Sequence, residues 1–386
     1  MSYKRIFLLI LDGCGCGEQS DFKRYHSAKS NTLGSLYKNM LNFKLPALEG
    51  LGLSQLLLLG RDSPRAIYGK MSEVSKGNDT FAGVWEMMGQ PFLRRFASRH
   101  RGFNNLLLVR IQKTLNLRLV GNRYISGYKA LDKYYDEHVH TGDPIIYFSD
   151  DGVILFAGHA DIIKPRKLNS LAADLSKLLH GSDYARIITR PFVGEPGGFI
   201  RLEKFRKDFI INASTPVLLK SFASKKIPVR ITEHLHHLFG NPVGVSILQA
   251  DRKQDLLSSI QDDSKRIKRG FFMYVFQETD NYGHKKDADG FRVALRRFDS
   301  WLGNFMQSLN RKDLLMITAD HGCNPLLKKV RGHNREHVPL LIFSPSLEGK
   351  GINLDTRKSF ADLGQTISRN FGIQKLEFGK AIHEVL

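Results

Sequence analysis

The residues with the clearest chemical potential fall near the start and in the last third of the chain. Asp12 follows the apolar run RIFLLIL, and Thr80 stands in SKGNDTFAGVWE. Later come Asp280 and His284 in DNYGH, Asp320 and His321 in ADHG, and His333 in GHNREHVP. Carboxylates mixed with neutral imidazoles suit zinc, manganese or iron, and two carboxylate-rich halves completed by Asp12 could hold two ions. Such a pair would neutralise charge on a transferring phosphoryl group and stabilise the entering and leaving oxygens. A nucleophile is then required. Thr80 follows a Gly-Asn-Asp turn where a helix can begin, and a hydroxyl there, activated by metal, can attack phosphorus. Taken alone, the plainer reading is that Thr80 or Asp79 caps the helix. A lone histidine at a strand end is likewise more often a satisfied core or surface residue, so the reading depends on the whole set.

The elements around these residues support one shared site. RIFLLIL is a short continuous apolar run, as expected of a strand buried on both faces of a parallel sheet. FFMYVF (271–276) and LLMIT (314–318) repeat the pattern, and each runs directly into polar residues. Ligands gather outside the carboxyl ends of such strands. Between them, Phe291, Leu295, Phe298, Trp301 or Leu302, and Phe305 recur at helical spacing, forming a core stripe in a strand–helix–strand crossover. IIYFSDDGVILFAGH (145–159) and RIITRPFVGEP (186–196) have their own turn signals and a mixed or hairpin character. The expected fold is α/β. A discontinuous core, residues 1–92 and 214–386, carries a mostly parallel sheet flanked by helices, and 93–213 form an inserted smaller α+β cap.

Composition narrows the class further. A chain of 386 residues exceeds what one hydrophobic core usually organises. Its 58 Lys and Arg against 38 Asp and Glu give +20, compatible with nucleic acid, an anionic membrane or a phosphorylated small molecule. The basic runs RRFASRHR (94–101) and SKRIKRG (264–270) read as solvated faces. Three cysteines make no secreted disulfide framework, and Cys14 and Cys16 read as plain small residues. The N-terminal apolar run is too short to span a membrane and lacks a signal-peptide pattern, so a soluble cytoplasmic protein is expected.

The order of strand-end Asp, Thr in a glycine-rich turn, insertion, D-x-x-x-H, DHG and final His resembles the alkaline-phosphatase superfamily of metal-dependent phosphatases and mutases. SNTLGSL, GNDTFAGVWE, TGDPIIYFSDDGV, RPFVGEPGGFIR, YGHKKD, TADHGCNP, HNREHVP and SFADLGQT resemble the phosphopentomutase family, across nearly the whole chain including the insertion. The resemblance implies that Asp12, Thr80, Asp320 and His321 hold one ion, and that Asp280, His284 and His333 hold the other. Manganese is the metal it suggests. It further implies that Thr80 carries the phosphoryl group and that Ser149, Asp151, Val153, Arg190 and Arg206, with Arg201 assisting, grip a sugar phosphate. The implied reaction interconverts (deoxy)ribose 1-phosphate and 5-phosphate, with a sugar bisphosphate as activator and a cap that keeps water from the phosphoenzyme. Divergent phosphatase activity, or action on another sugar phosphate, is the alternative. Neither nucleic acid nor membrane is an expected partner.

Several positions depart from the family pattern. Gly-Lys-Asp-Thr becomes Gly77-Asn78-Asp79-Thr80, His-Trp-Glu becomes Val84-Trp85-Glu86, and Gly-Thr-Glu becomes Gly127-Tyr128-Lys129. A phosphate-contacting Lys is replaced by Glu233, and the acid before His284 lies one residue nearer than usual, which favours Asp280 over Glu278.

Overall fold

The computed structural model describes residues 2–25, 27–60, 63–96, 102–125, 127–149, 152–213, 215–248, 255–329 and 332–386. Part of the first basic run, 97–101, lies outside them. The chain divides into two compact units: Met1–Leu93, Pro216–His236 and Pro242–Leu386 form the first, Arg94–Thr215 and His237–Asn241 the second. In chain order the strands are β1 (Arg5–Leu11), β2 (Ile67–Met71), β3 (Val120–Tyr124), β4 (Ile145–Phe148), β5 (Val153–His159), β6 (Arg186–Val193) and β7 (Ile200–Arg201). They continue as β8 (Asp208–Ile210), β9 (Val229–Thr232), β10 (Ser246–Leu248), β11 (Gly270–Phe276), β12 (Asp313–Thr318), β13 (Val338–Phe343) and β14 (Asn353–Arg357).

The first unit is α/β, with a sheet ordered β10-β9-β11-β1-β12-β13-β2-β14. β1, β11 and β12, the three apolar runs of the sequence, are buried along their whole lengths, because helices cover both faces of the sheet. β1 lies between β11 and β12, parallel to both, with Leu11 opposite Phe276 and Ile10 opposite Thr318, so the three carboxyl ends are nearly level. β13 alone runs against its neighbours, antiparallel to β12 and β2. That reversal matters for the site. The segment before Val338 starts at the edge where β12 ends, and β2 delivers the loop leading to Thr80 to the same edge.

The aromatic stripe lies on the Ala288–Gln307 helix, which buries Phe291, Leu295, Phe298, Leu302 and Phe305. Leu302, not Trp301, fills the core position, while Trp301 is half-buried and stacks on Phe305 at 4.7 Å. The same helix buries Asp299, whose carboxylate accepts hydrogen bonds from the backbone N–H groups of Ala47 (3.2 Å) and Leu48 (2.8 Å). Burial outweighs these bonds and pushes its carboxyl up to about 6. A raised folded-state pKa contributes stability that is complete below the ordinary carboxylate pKa and is lost as pH rises through about 6. Asp299→Asn is therefore expected to remove this dependence. Urea unfolding at pH 4 and pH 7 should show the difference between variant and parent move by about 2 kcal/mol in the variant's favour.

The second unit is a mixed sheet, β3-β4-β5-β6-β7 with β8 also on β6. β4 and β5 form an antiparallel pair and β5 runs parallel to β6. Alternation along the strands sends Ile146, Phe148, Ile154 and Ile187 to one cluster and Ile145, Tyr147, Leu155 and Ile188 to another. Helix Pro165–Leu178 supplies Leu168, Leu171 and Leu175 to the first cluster, and helix Gly127–Thr141 supplies Ala130, Leu131 and Tyr134 to the second. No helix among the described residues is long and apolar enough to cross a membrane.

Candidate metal centre

Asp12 directly follows β1 and is buried, and its carbonyl accepts a hydrogen bond from the Thr279 hydroxyl at 2.6 Å. Asp320 and His321 follow β12, and both are buried. Asp320 Oδ1 accepts from the N–H groups of Gly13 and His321, each at 3.1 Å, which fastens the turn after β1 to the turn after β12. His321 Nε2 then lies 3.4 Å from Asp12 Oδ1, 3.4 Å from Asp320 Oδ2 and 3.3 Å from Thr80 Oγ1.

Thr80 opens the Thr80–Met87 helix. The N-cap is Asp79, whose Oδ1 accepts from Ala82 N–H at 3.0 Å. Capping is thus supplied by the preceding residue, and the Thr80 hydroxyl is left to donate to Asp12 Oδ1 at 3.3 Å. The cap reading falls to Asp79, and the Thr80 hydroxyl faces the Asp12 carboxylate.

The second group adjoins the first. Asp280 and His284 stand four apart on the Glu278–Lys285 helix, with Asp280 Oδ2 3.2 Å from His284 Nε2. Glu278, the other acid of the segment, pairs with Arg297 instead. His333 Nε2 lies 3.1 Å from His284 Nε2 and 3.9 Å from Asp280 Oδ1, and its ring stacks on His321 with centroids 3.9 Å apart. The Asn78 turn holds His333 at both ends. Nδ1–H donates to Asn78 O at 2.9 Å, and Asn78 Nδ2 donates to His333 O at 3.1 Å. With Nδ1 engaged by a carbonyl, the Nε2 lone pair faces the cluster.

The electrostatics are those of a cation site. Burial, then the charges of Asp320 and Asp280, drives the Asp12 carboxyl well above the ordinary range. Burial holds His321 as a neutral imidazole despite the neighbouring Asp320. At Asp280 burial acts in the same upward sense, but His284, His333 and His321 prevail and hold the carboxyl below the usual range. Asp320 Oδ2 and Asp280 Oδ1 are buried without a hydrogen-bond donor. Buried carboxylate oxygens without donors, facing imidazole nitrogens, fit a divalent ion. Three overlapping sets converge: Asp12, Asp320 and His321; Asp280, His321 and His333; Asp280, His284 and Cys323.

Three buried charges that the sequence reading did not single out hold these loops. The Arg335 side chain is fully buried and pairs with Glu73, while its guanidinium also donates to the carbonyls of Ser75 and Gly77 (3.0 Å each) and Glu73 (2.6 Å). It thereby ties the approach to Thr80 to the His333 segment. Glu336 accepts from Thr32 N (2.8 Å) and Thr32 Oγ1 (2.7 Å). Gly15 and Gly322 let it approach, since a Cβ on either would overlap its side chain. Glu86 accepts from Ser75 N (2.7 Å), Ser359 Oγ (2.8 Å) and Phe360 N (2.9 Å). Arg335→Met should strand Glu73 in the interior and cost about 3–5 kcal/mol of stability, read as a lowered urea midpoint.

In the second unit, Arg190 Nη1 lies 3.2 Å from both carboxylate oxygens of Glu203. Arg201 lies 4.3 Å over the Tyr128 ring, and Gly127 leaves the space its guanidinium occupies. Arg206 forks onto buried Asp208 at 2.8 and 3.1 Å. Burial and then the neighbouring Arg206, with Arg201 adding, pull the Arg190 pKa down, so the three guanidiniums lie within electrostatic reach of one another, with the carboxylates of Glu203 and Asp208 among them. Asp208 was not anticipated, and the sequence signal for it is only its place two residues after Arg206. Ser149 is exposed. Val153 turns its side chain into the core, and its carbonyl accepts from the Ser149 N–H at 3.1 Å. Asp151 lies outside the described residues.

Residues 222–375 match the model of the Metalloenzyme superfamily. The phosphopentomutase of Caldanaerobacter subterraneus subsp. tengcongensis is 34% identical over 384 residues, covering 97% of this chain and 96% of the relative. That of Desulfitobacterium hafniense is 34% identical, covering 98% of each, and that of Acetivibrio thermocellus 33%, covering 96% of each. Among solved structures, the phosphoglycerate mutase of Leishmania mexicana aligns with a TM-score of 0.52 at 11% identity, covering 99% of this chain and 97% of that one. This last likeness concerns the fold.

Proposed function

From the premise that the chain belongs to the phosphopentomutase family, a family of isomerases, we propose that it interconverts ribose or deoxyribose 1-phosphate and 5-phosphate through a phosphorylated Thr80. The observation that carries the reading is the Thr80 hydroxyl, relieved of capping by Asp79 and set 3.3 Å from both Asp12 and His321. Asp12, Asp320, His321 and Thr80 would hold one divalent ion, and Asp280, His284 and His333 a second, with manganese the metal expected. Bound there, the ions would lower the hydroxyl pKa and offset charge on phosphoryl oxygens.

The rest of the work falls to the chain. Phosphorylated Thr80 donates its phosphoryl group to the free hydroxyl of the sugar phosphate, giving a sugar bisphosphate and freeing the threonine oxygen. The bisphosphate returns its other phosphoryl group to Thr80, which completes the isomerisation, and on this reading a trace of sugar bisphosphate serves as activator. Arg190, Arg201 and Arg206 recognise phosphate, and Ser149, Asp151 and the Val153 backbone recognise the sugar. Asn78, Val84 and Glu233, which depart from the family pattern, alter the surroundings of the reacting groups without removing any of them. The cytoplasm is the compartment proposed.

The test supplies ribose 1-phosphate, manganese and a trace of hexose bisphosphate, and follows ribose 5-phosphate and free phosphate together. Isomer formation in substrate quantities is expected. Free phosphate released faster than isomer would assign a phosphatase instead.

A further inference from the structure

Cys323 is the residue near the cluster that the proposed reaction leaves without a task. It lies two residues beyond His321, and its N–H donates to Gly13 O at 2.8 Å, which fastens it beside the turn after Asp12. Its sulfur faces the Glu278–Lys285 helix at Gly283, where a Cβ would overlap the thiol, and approaches Asp280 O at 3.9 Å. This is the helix that carries Asp280 and His284. The Cys323 sulfur, an Asp280 oxygen and a His284 nitrogen all lie within 4.8 Å of one another. Asp280 Oδ1 is buried and has no hydrogen-bond donor. Cys14, also buried, has its sulfur against Asp12 O at 3.8 Å and belongs to none of the convergent groups.

Resting on the two-ion reading above and departing from it only in the metal of one half, we infer that the half of the centre built on Asp280 and His284 is a nitrogen, oxygen and sulfur site in which Cys323 ligates a thiophilic divalent ion, zinc or cobalt(II), instead of manganese. Sulfur is a soft donor, and adding it to the Asp280 carboxylate and the imidazoles of His284 and His333 shifts preference from manganese and magnesium toward zinc and cobalt. A cysteine ligates as the thiolate, so uptake of the ion releases the thiol proton to solvent. The two halves then differ in kind: the set around Asp12 and Asp320 has only oxygen and nitrogen donors, and the other offers sulfur.

Cobalt(II) tests this without reference to activity. Titration of the metal-free protein with cobalt should give a sulfur-to-cobalt charge-transfer band in the near ultraviolet, alongside the visible ligand-field bands. The band should vanish in Cys323→Ser and persist in Cys14→Ser. In competition against manganese, the preference for zinc in Cys323→Ser should fall about 10-fold or more. Cobalt bound stoichiometrically to the parent protein without the band would overturn the assignment while sparing the two-ion reading. A band lost only in Cys14→Ser would do the same. A protein that binds no cobalt would overturn both together.

Discussion

Thr80→Val is expected to lower kcat for isomerisation by about 10,000-fold or more, the scale on which loss of a covalent nucleophile registers. Valine matches threonine in volume and branching, and the cap belongs to Asp79, whose bond to Ala82 N–H is untouched. Only the hydroxyl's bond to the buried Asp12 carboxylate is lost, so unfolding free energy should fall by about 1–2 kcal/mol, too little to unfold the chain or to account for the loss of rate. These two results separate chemistry from folding. Incubation with radiolabelled sugar bisphosphate should label the parent chain and not the variant, whereas Thr80→Ser, which restores a hydroxyl, should recover label and part of the rate. A valine variant that still isomerises at a tenth of the parental rate would exclude Thr80 as the phosphoryl carrier.

How far the sequence shows this site depends on what each part of it is made of. Strands buried on both faces must be continuously apolar, so β1, β11 and β12 were legible, and with them the acids that follow. The preference for Asp280 over Glu278 rests on family spacing alone; the structure adds that Asp280 and His284 share one helix face while Glu278 pairs with Arg297. The reversal of β13 was not legible. Val338–Phe343 is as apolar as the parallel strands β1, β11 and β12, and strand direction leaves no mark in so short a run. The buried charges were hidden for a related reason. Arg335, Glu336, Glu86 and Asp299 differ from surface charges only in the partners that surround them, which come from distant segments. Val153 shows the opposite failure: its match to a substrate-gripping position says nothing about side-chain direction, and strand alternation turns it inward.

Asp320→Asn should produce two effects of opposite sign. On the proposed two-ion reading it removes the charge of a carboxylate whose Oδ2 has no donor, while the amide oxygen can still hold the turns at Gly13 and His321. Bound metal should fall below two ions per chain, and activity should fall about a thousandfold, corresponding to several kcal/mol of lost charge stabilisation. The metal-free protein should respond differently. There Asp12 and Asp320 are buried side by side, and the charge of Asp320 adds to burial in making ionised Asp12 costly. Asp12, with its raised folded-state pKa, contributes stability that is present below the ordinary carboxylate range and lost as pH rises through the folded value. Neutralising Asp320 lowers that folded value, so at pH 7 the metal-free variant should unfold at higher urea concentration than the metal-free parent. Metal then reverses the order, because an ion present at about 100 times its Kd stabilises the parent by about 2.7 kcal/mol and the variant by less. Unfolding curves of both proteins with and without chelator check the crossing directly. Parallel curves, with the variant less stable in every condition, would mean that Asp320 serves the fold alone and that the carboxylates around it are not held together for an ion.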